Sequence, residues 1–504
     1  MFQKEKQILA KYGQNLANGR EFLCCKEALN GSRVHPGCQT IGIAEDDAFY
    51  SHFSKKCMEF IRSTAVLRND CTFGWREQVN AITTYMDGSF IYGSTNDVAD
   101  NLRTKTDGLL KTSNVQLMPQ NVGKENCKLN SGTCPFLAGD ARANENVGLT
   151  AIHTVFMREH NRIAKGMKDS KQEWDDEKIF QETRKIVIAF MQTMVMKEYL
   201  PATLGKSILK KYDLELPENL DLNLYDPDIK VEVSNAFSTA AFRFAHTMIN
   251  NEIEFVYENR EINSSHFEGK LFHPEDIYFS KRLTAIINGM LHQHPRICSV
   301  YMASSISKKL FMKDGEECGL DLGSLNIQRG RDHGLPPYNE YRKFCKLEPY
   351  DSIANMPLSE DLKEKLSKVY EHVDDIDIYV GGILEPVHEG EVGETFGCII
   401  GEQFRVLVKG DRFFLANGQK ADILSSDEGI PADNSRIGHA YTEAQYKEFQ
   451  KASLAQIVCD NTNVIEIQPE VLKSVGNGNE ITNCDAIVRP DLNVIFEDLE
   501  PAGV

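Results

Sequence analysis

The segment Phe237–Met248 sets a guanidinium and an imidazole three residues apart, at Arg243 and His246. On a helix that spacing puts both on one face, and Ala240, Ala241 and Ala245 leave space beside them for something flat. A ring nitrogen able to bind iron, next to a fixed cation able to hold a propionate, is a donor set suited to haem. A second run, FLAGDARANENVGLTAIHTVFMREHNR at 136–162, carries Arg142 and Glu145 at the same spacing. His153 and His160 lie seven apart, too far to grip one small ion without other ligands, and read as structural.

These groups need elements to hold them. Residues 148–168 repeat apolar side chains at Leu149, Ile152, Phe156 and Ile163, which predicts a helix. A long helix is expected over Trp174–Leu200, stopped by Pro201, and a buried one over Asn235–Asn250. Strand signals are short, the clearest being Phe404–Phe414 with Gly410-Asp411 as a turn. No repeat, low-complexity tract or Pro/Gly/Ser linker interrupts the chain, so it reads as one large, mainly α domain with short β elements.

The 504 residues carry 56 basic and 74 acidic side chains, a net charge of −18, which argues against a nucleic-acid surface. The hydrophobic fraction of 41% is that of a soluble globular protein. The longest apolar stretch, near Ile186–Met196, falls well short of the roughly 20 residues that span a bilayer. Thirteen cysteines, with Cys57/Cys71 and Cys127/Cys134 enclosing short polar loops, suggest small disulfide loops and an oxidising compartment. Sequons at Asn30 and Asn263 point the same way. The first 30 residues hold no apolar export core, so the N-terminus reads as incomplete.

Taken in order, AITTYMDGSFIYGS (81–94), the 136–162 run, FRFAH (242–246), LNIQRGRDHGLPPYNEYRKFC (325–345) and EVGETFGCIIGEQFRVLVKGDRFF (391–414) resemble the animal haem peroxidase family. The resemblance runs from about Cys24 to about Arg489 and implies a haem domain over 24–495, between a divergent segment at 1–23 and a tail at 496–504. It implies haem b, with His246 as axial iron ligand, Asn326 holding its second ring nitrogen, and Arg243 and Arg329 binding propionates. Arg142 matches the distal arginine, a cation that stabilises charge on the breaking peroxide bond. Glu145 matches a carboxylate that esterifies a haem methyl, and Asn146 at the next position implies no sulfonium link. Thr83, the Tyr85 carbonyl, Asp87 and Ser89 match a Ca²⁺ loop of hard oxygen donors.

The sequence departs from the family at one place. No Asp-His-Asp is present upstream, and in the register of Tyr12-Gly13-Gln14 the three positions are Ala17, Asn18 and Gly19. An amide cannot shuttle a proton, so peroxide turnover is expected to suffer by roughly 10² to 10⁴. The expected function is oxidation of a halide, phenol or tyrosine-like donor by hydrogen peroxide in a secreted protein. The competing expectation is a catalytically silent adhesion protein, with Lys409-Gly410-Asp411 as a tripeptide for a cell-surface receptor.

Overall fold

The computed structural model describes residues 24–499 apart from 32–33, 67–73, 114–115, 122–134, 222–223, 280, 313–314, 418–440 and 498. The N-terminal positions Ala17, Asn18 and Gly19, and the cysteines at 71, 127 and 134, lie outside the described residues. Helices supply the frame: α1 (Val147–Ser170), α2 (Asp176–Met194), α3 (Leu200–Lys211), α4 (Arg282–His292), α5 (Leu322–Asp332), α6 (Ile378–Leu384) and α7 (Glu394–Lys409). Among the described residues the β content is three two-stranded antiparallel pairs, the longest joining Glu252–Val256 to Ile262–His266 in the register Glu252↔His266.

Helix α1 starts where the Asn146 side chain accepts from the Leu149 amide, so the residue next to Glu145 acts as a cap. Its inner face buries Val147, Ala151, Val155, Ile163 and Met167, each completely. Full burial of such a valine, isoleucine or methionine side chain contributes about 1.5–3 kcal/mol, which makes α1 the spine of the main core. Next along the chain, α2 is capped by Asp175, with Asp176 and Glu177 in its first turn where the helix dipole favours anions.

Three expectations need correction here. Pro201 does not stop the long helix: α2 ends at Met194, a π turn covers Val195–Tyr199, and α3 takes Pro201 in its first turn, where a missing amide hydrogen costs nothing. The stretch 404–414 is not a strand, because Phe396, Ile400, Phe404 and Leu407 recur at helical spacing and are buried along α7. Asn235–Asn250 is not one α-helix. Ala240 (φ −130°, ψ −74°) divides a short helix, Asn235–Thr239, from a 3₁₀ segment, Ala241–Met248. The buried residues of that segment are Ala241, Phe244 and Thr247, a period of three that suits 3₁₀ geometry.

Disulfides join Cys24–Cys38, Cys25–Cys57, Cys345–Cys398 and Cys459–Cys484. Cys57 therefore pairs with Cys25, not Cys71: the strand pair Ile41–Gly42/Cys57–Met58 folds Cys57 back toward the helix that carries Cys25. Among the described residues no helix is long and apolar enough to cross a membrane.

Candidate haem-binding site

In the 3₁₀ segment residues i and i+3 eclipse, so Arg243 and His246 stand in one row. Facing them is Asn326 on α5, completely buried. Its amide nitrogen lies 2.9 Å from His246 Nδ1, and its amide oxygen accepts from Arg243 Nη1 at 2.9 Å. Because a guanidinium only donates, the Asn326 oxygen must face Arg243 and the Nδ2 hydrogens must face His246. His246 Nδ1 is then the acceptor, and the ring proton sits on Nε2. Burial, and after it the Arg243 charge, hold His246 down at about 4 against the opposing Asn326 hydrogen bond, so the imidazole is neutral. No other hydrogen bond among the described residues reaches this ring.

Helix α5 is itself fixed at both ends. Asp321 caps its start, accepting from Gly323 N at 2.8 Å. At its end the buried Asp332 carboxylate accepts from Arg62 Nε at 2.7 Å, the Ser63 amide at 2.7 Å and Arg329 Nη1 at 3.1 Å. Burial works against that carboxyl's charge, but Arg62 and its other partners win and hold it below the usual range. Arg329 also donates to the Ile61 carbonyl and lies 4.1 Å over the Phe60 ring. Burial first, then Arg329, pushes Arg243 down to about 10. Arg243 is thus the guanidinium beside His246, while Arg329, whose charge reaches Arg243, is itself paired with Asp332.

The second group stands on a 3₁₀ turn, Ala141–Asn144, capped by Asp140. Arg142 pairs with Asp140 at 2.6 Å, and its side chain is 65% exposed. Glu145 closes the turn; burial raises its carboxyl pKa, and Arg142 pulls it back. Among the described residues no hydrogen bond or ion pair joins Arg142 or Glu145 to His246. They are tied through a small second core: Ile249, just past His246, and Leu325, next to Asn326, pack with Leu271, whose neighbour Phe272 donates its amide to the Glu145 carbonyl at 2.9 Å.

Phe272 and Phe311 are residues that sequence reasoning missed. Both are aromatic at positive φ, 57° and 54°, where a bulky side chain is strained. They are 54% and 38% exposed, with ring centroids 5.1 Å apart, at the backbone of Glu145. The two exposed rings therefore stand as a pair, joined to the Glu145 backbone through the Phe272 amide. No residue-type signal marks left-handed phenylalanine in advance.

In the 83–89 loop, Thr83 Oγ1 donates to Asp87 Oδ1 at 2.9 Å, and the Ser89 amide donates to the same oxygen at 3.1 Å. The loop is pinned to the Arg142 segment at Gly139, where a Cβ would stand 2.4 Å from the Ser89 carbonyl. His160 uses both ring nitrogens, with Tyr92 Oη at 2.9 Å and the Gly108 carbonyl at 2.9 Å, and is structural in geometry. In the 409–411 triplet, Lys409 pairs with Asp213 at 2.7 Å and Asp411 is 7% exposed, accepting from the Phe413 amide at 2.8 Å. That corrects the receptor reading: the Asp411 carboxylate is folded onto the Phe413 amide in the turn after α7 and is buried from a partner.

Residues 8–472 match the sequence model of the animal haem peroxidases. The chain is 33% identical to peroxidase mlt-7 of Caenorhabditis elegans over 510 residues, 97% of this chain and 64% of that protein. It is 30% identical to the chorion peroxidase of Drosophila melanogaster over 493 residues, 95% of this chain and 59% of that protein. Peroxidase A from Dictyostelium discoideum superposes with a TM-score of 0.70 at 29% identity, covering 88% of this chain and 82% of that one. The chain belongs to the animal haem peroxidase family. It spans between 35% and 64% of the length of the first curated relatives it matches.

Proposed function

We propose that the chain binds haem b through His246 and uses it to oxidise a small aromatic or halide donor with hydrogen peroxide. The observation that carries this reading is a neutral imidazole with Nδ1 held by a buried amide, next to Arg243. The donor set fits the group: a neutral imidazole for iron and the Arg243 guanidinium for a propionate, with Arg329 as a second propionate partner once it exchanges Asp332 for the cofactor's carboxylate. Bound haem would supply a redox-active iron that peroxide oxidises and the donor then reduces.

For His246 Nε2 to offer its lone pair, the proton there must move to Nδ1. Asn326 must then turn its oxygen toward Nδ1–H, which requires Arg243 to leave that oxygen for a carboxylate of the cofactor. Arg243 thereby couples carboxylate binding to the tautomer of His246. Arg142 stabilises negative charge on peroxide oxygen as the bond breaks, and its pairing with Asp140 keeps it oriented and charged. Glu145 would supply the carboxylate for an ester to a methyl of the bound haem. With an amide at position 18 in the family register, proton transfer on the peroxide is slow and turnover is reduced. Phe272 and Phe311 stack the aromatic donor.

Ca²⁺ at Thr83, the Tyr85 carbonyl, Asp87 and Ser89 would hold the loop that Gly139 contacts. Secretion accords with the disulfides among the described residues and with the exposed Asn263 on its strand. The test is a haem-loaded chain mixed with hydrogen peroxide and a phenol. Slow, saturable oxidation is expected, and no oxidation above that of free haem overturns the reading.

A further inference from the structure

Ser63, His333 and Asn235 come from three parts of the chain and meet at the end of α5. Ser63 precedes an antiparallel ribbon in which Ala65 bridges Gln78, His333 is the residue that ends α5, and Asn235 opens the short helix Asn235–Thr239. Gly334, at φ 66°, turns the chain out of α5 and fixes where His333 stands. Ser63 Oγ lies 2.6 Å from His333 Nε2, and His333 Nδ1 lies 3.1 Å from Asn235 Oδ1. The serine and the histidine are both half-buried.

The surrounding amides assign the protons. Gln78 Nε2 donates to the Arg76 carbonyl at 3.0 Å, which leaves Gln78 Oε1 to accept from Asn235 Nδ2 at 3.0 Å. Asn235 Oδ1 is then the atom facing His333, so the ring proton is on Nδ1 and Nε2 offers its lone pair to the Ser63 hydroxyl hydrogen. Arg329 Nη1 donates to the same hydroxyl oxygen at 3.1 Å, and Arg76 Nη2 donates to the Ser63 carbonyl at 2.6 Å. An oxygen that gives its hydrogen to a neutral imidazole while accepting from a guanidinium is arranged as a nucleophile. Burial first, opposed by Asp332 and aided by Arg329, Arg243 and Arg76, holds His333 down at about 4. The imidazole is therefore neutral at physiological pH.

We propose that Ser63 and His333, oriented by Asn235, form a nucleophilic centre that hydrolyses small aryl esters carrying a carboxylate. Ser63 Oγ bonds to the ester carbonyl carbon as its proton passes to His333 Nε2, and Arg329, already at that hydroxyl, stabilises the negative charge on the tetrahedral oxygen. The bond from the carbonyl carbon to the aryl oxygen breaks, and the leaving phenolate takes the proton from Nε2. Water then adds to the acyl group, and its proton returns through Nε2 to Ser63 Oγ as the acid leaves. The sum is ester plus water giving acid plus phenol. The exposed Arg76 guanidinium, beside the serine, supplies the charge that selects a carboxylate on the substrate. No step uses haem, so the inference stands apart from the haem reading.

The test is hydrolysis of 4-acetoxybenzoate and of its uncharged methyl ester by the full chain, with a fluorophosphonate probe to mark the nucleophile. Saturable release of 4-hydroxybenzoate is expected, with a KM about tenfold below that for the methyl ester, a difference that Arg76→Met removes. Ser63→Ala and His333→Gln are each expected to cut turnover about a hundredfold or more. The rate is expected to be level between about pH 6 and 8 and to fall as the pH approaches 4, where His333 takes up a proton against Arg329, Arg243 and Arg76. An ordinary surface histidine or lysine would instead give a rate that climbs through neutral pH. The probe is expected on Ser63, located by peptide mass. No ester turnover above buffer overturns the proposal, as does turnover that Ser63→Ala leaves unchanged or a probe that leaves Ser63 unlabelled. Should Ser63→Ala fail to fold, the labelled residue and the pH profile of the natural chain still decide.

Discussion

Replacing Arg243 with methionine is expected to move the proton on His246. Arg243 Nη1 donates to Asn326 Oδ1 at 2.9 Å, and the amide nitrogen is thereby turned to His246 Nδ1, also at 2.9 Å. A hydrogen bond from a charged donor contributes about 1.5–3 kcal/mol, and about 1.4 kcal/mol is tenfold, so Arg243 keeps the proton on Nε2 in roughly nine molecules of ten or more. Without it the amide is free to turn, and the Nδ1–H form rises to a comparable share. The cation is also the second cause, after burial, that holds the ring at about 4, so its loss raises that value. The sign for stability follows: the unfolded ring titrates near the ordinary value of 6.5, so this group's contribution is complete above about 6.5 and is lost as the pH falls toward 4. Arg243→Met narrows that window from the acid side. The assay is long-range ¹⁵N–¹H correlation of the histidine rings in the haem-free chain at neutral pH, followed by titration. A ring that keeps its Nε2 proton and its titration point in the variant refutes the coupling.

Glu145→Gln is expected to leave haem extractable by acidified acetone after peroxide treatment, whereas the natural chain retains it; equal retention contradicts the ester. Phe272→Gly relieves about 1–2 kcal/mol of left-handed strain while giving up a half-buried ring, so the unfolding midpoint moves little. Its KM for a phenolic donor is expected to rise about two- to tenfold with iodide oxidation unchanged, and an equal effect on both donors contradicts the stacking role. Asp87→Asn removes the one carboxylate of the 83–89 donor set and is expected to weaken Ca²⁺ binding at least about tenfold, read by terbium luminescence; unchanged affinity removes the loop as a calcium site.

Much of the helical frame was legible because α1 and α2 advertise themselves by apolar spacing and side-chain caps. Helix α7 was not, since the window 404–414 holds only its last turn and a half and the turn beyond, and the helical spacing shows only when Phe396 and Ile400 are read with Phe404 and Leu407. His246 and Arg243 were legible as a pair because three residues separate them on one segment. Asn326 is 80 residues from His246, and its role could be reached only by resemblance. Phe272 and Phe311 were invisible because their backbone conformation is imposed by tertiary packing against residue type. Cys25–Cys57 shows the same limit: the sequence-near partner was the natural guess, and the strand pair carrying Cys57 chose otherwise.

The most direct measurement is a haemin titration of the full chain and of His246→Ala, followed through the Soret band with magnetic circular dichroism to report the axial ligand. One haem per chain with histidine ligation is expected for the natural protein, with loss of both stable retention and the histidine signature in the variant. Haem bound with unchanged stoichiometry and unchanged ligand signature in His246→Ala would contradict the assignment of His246 as the iron ligand.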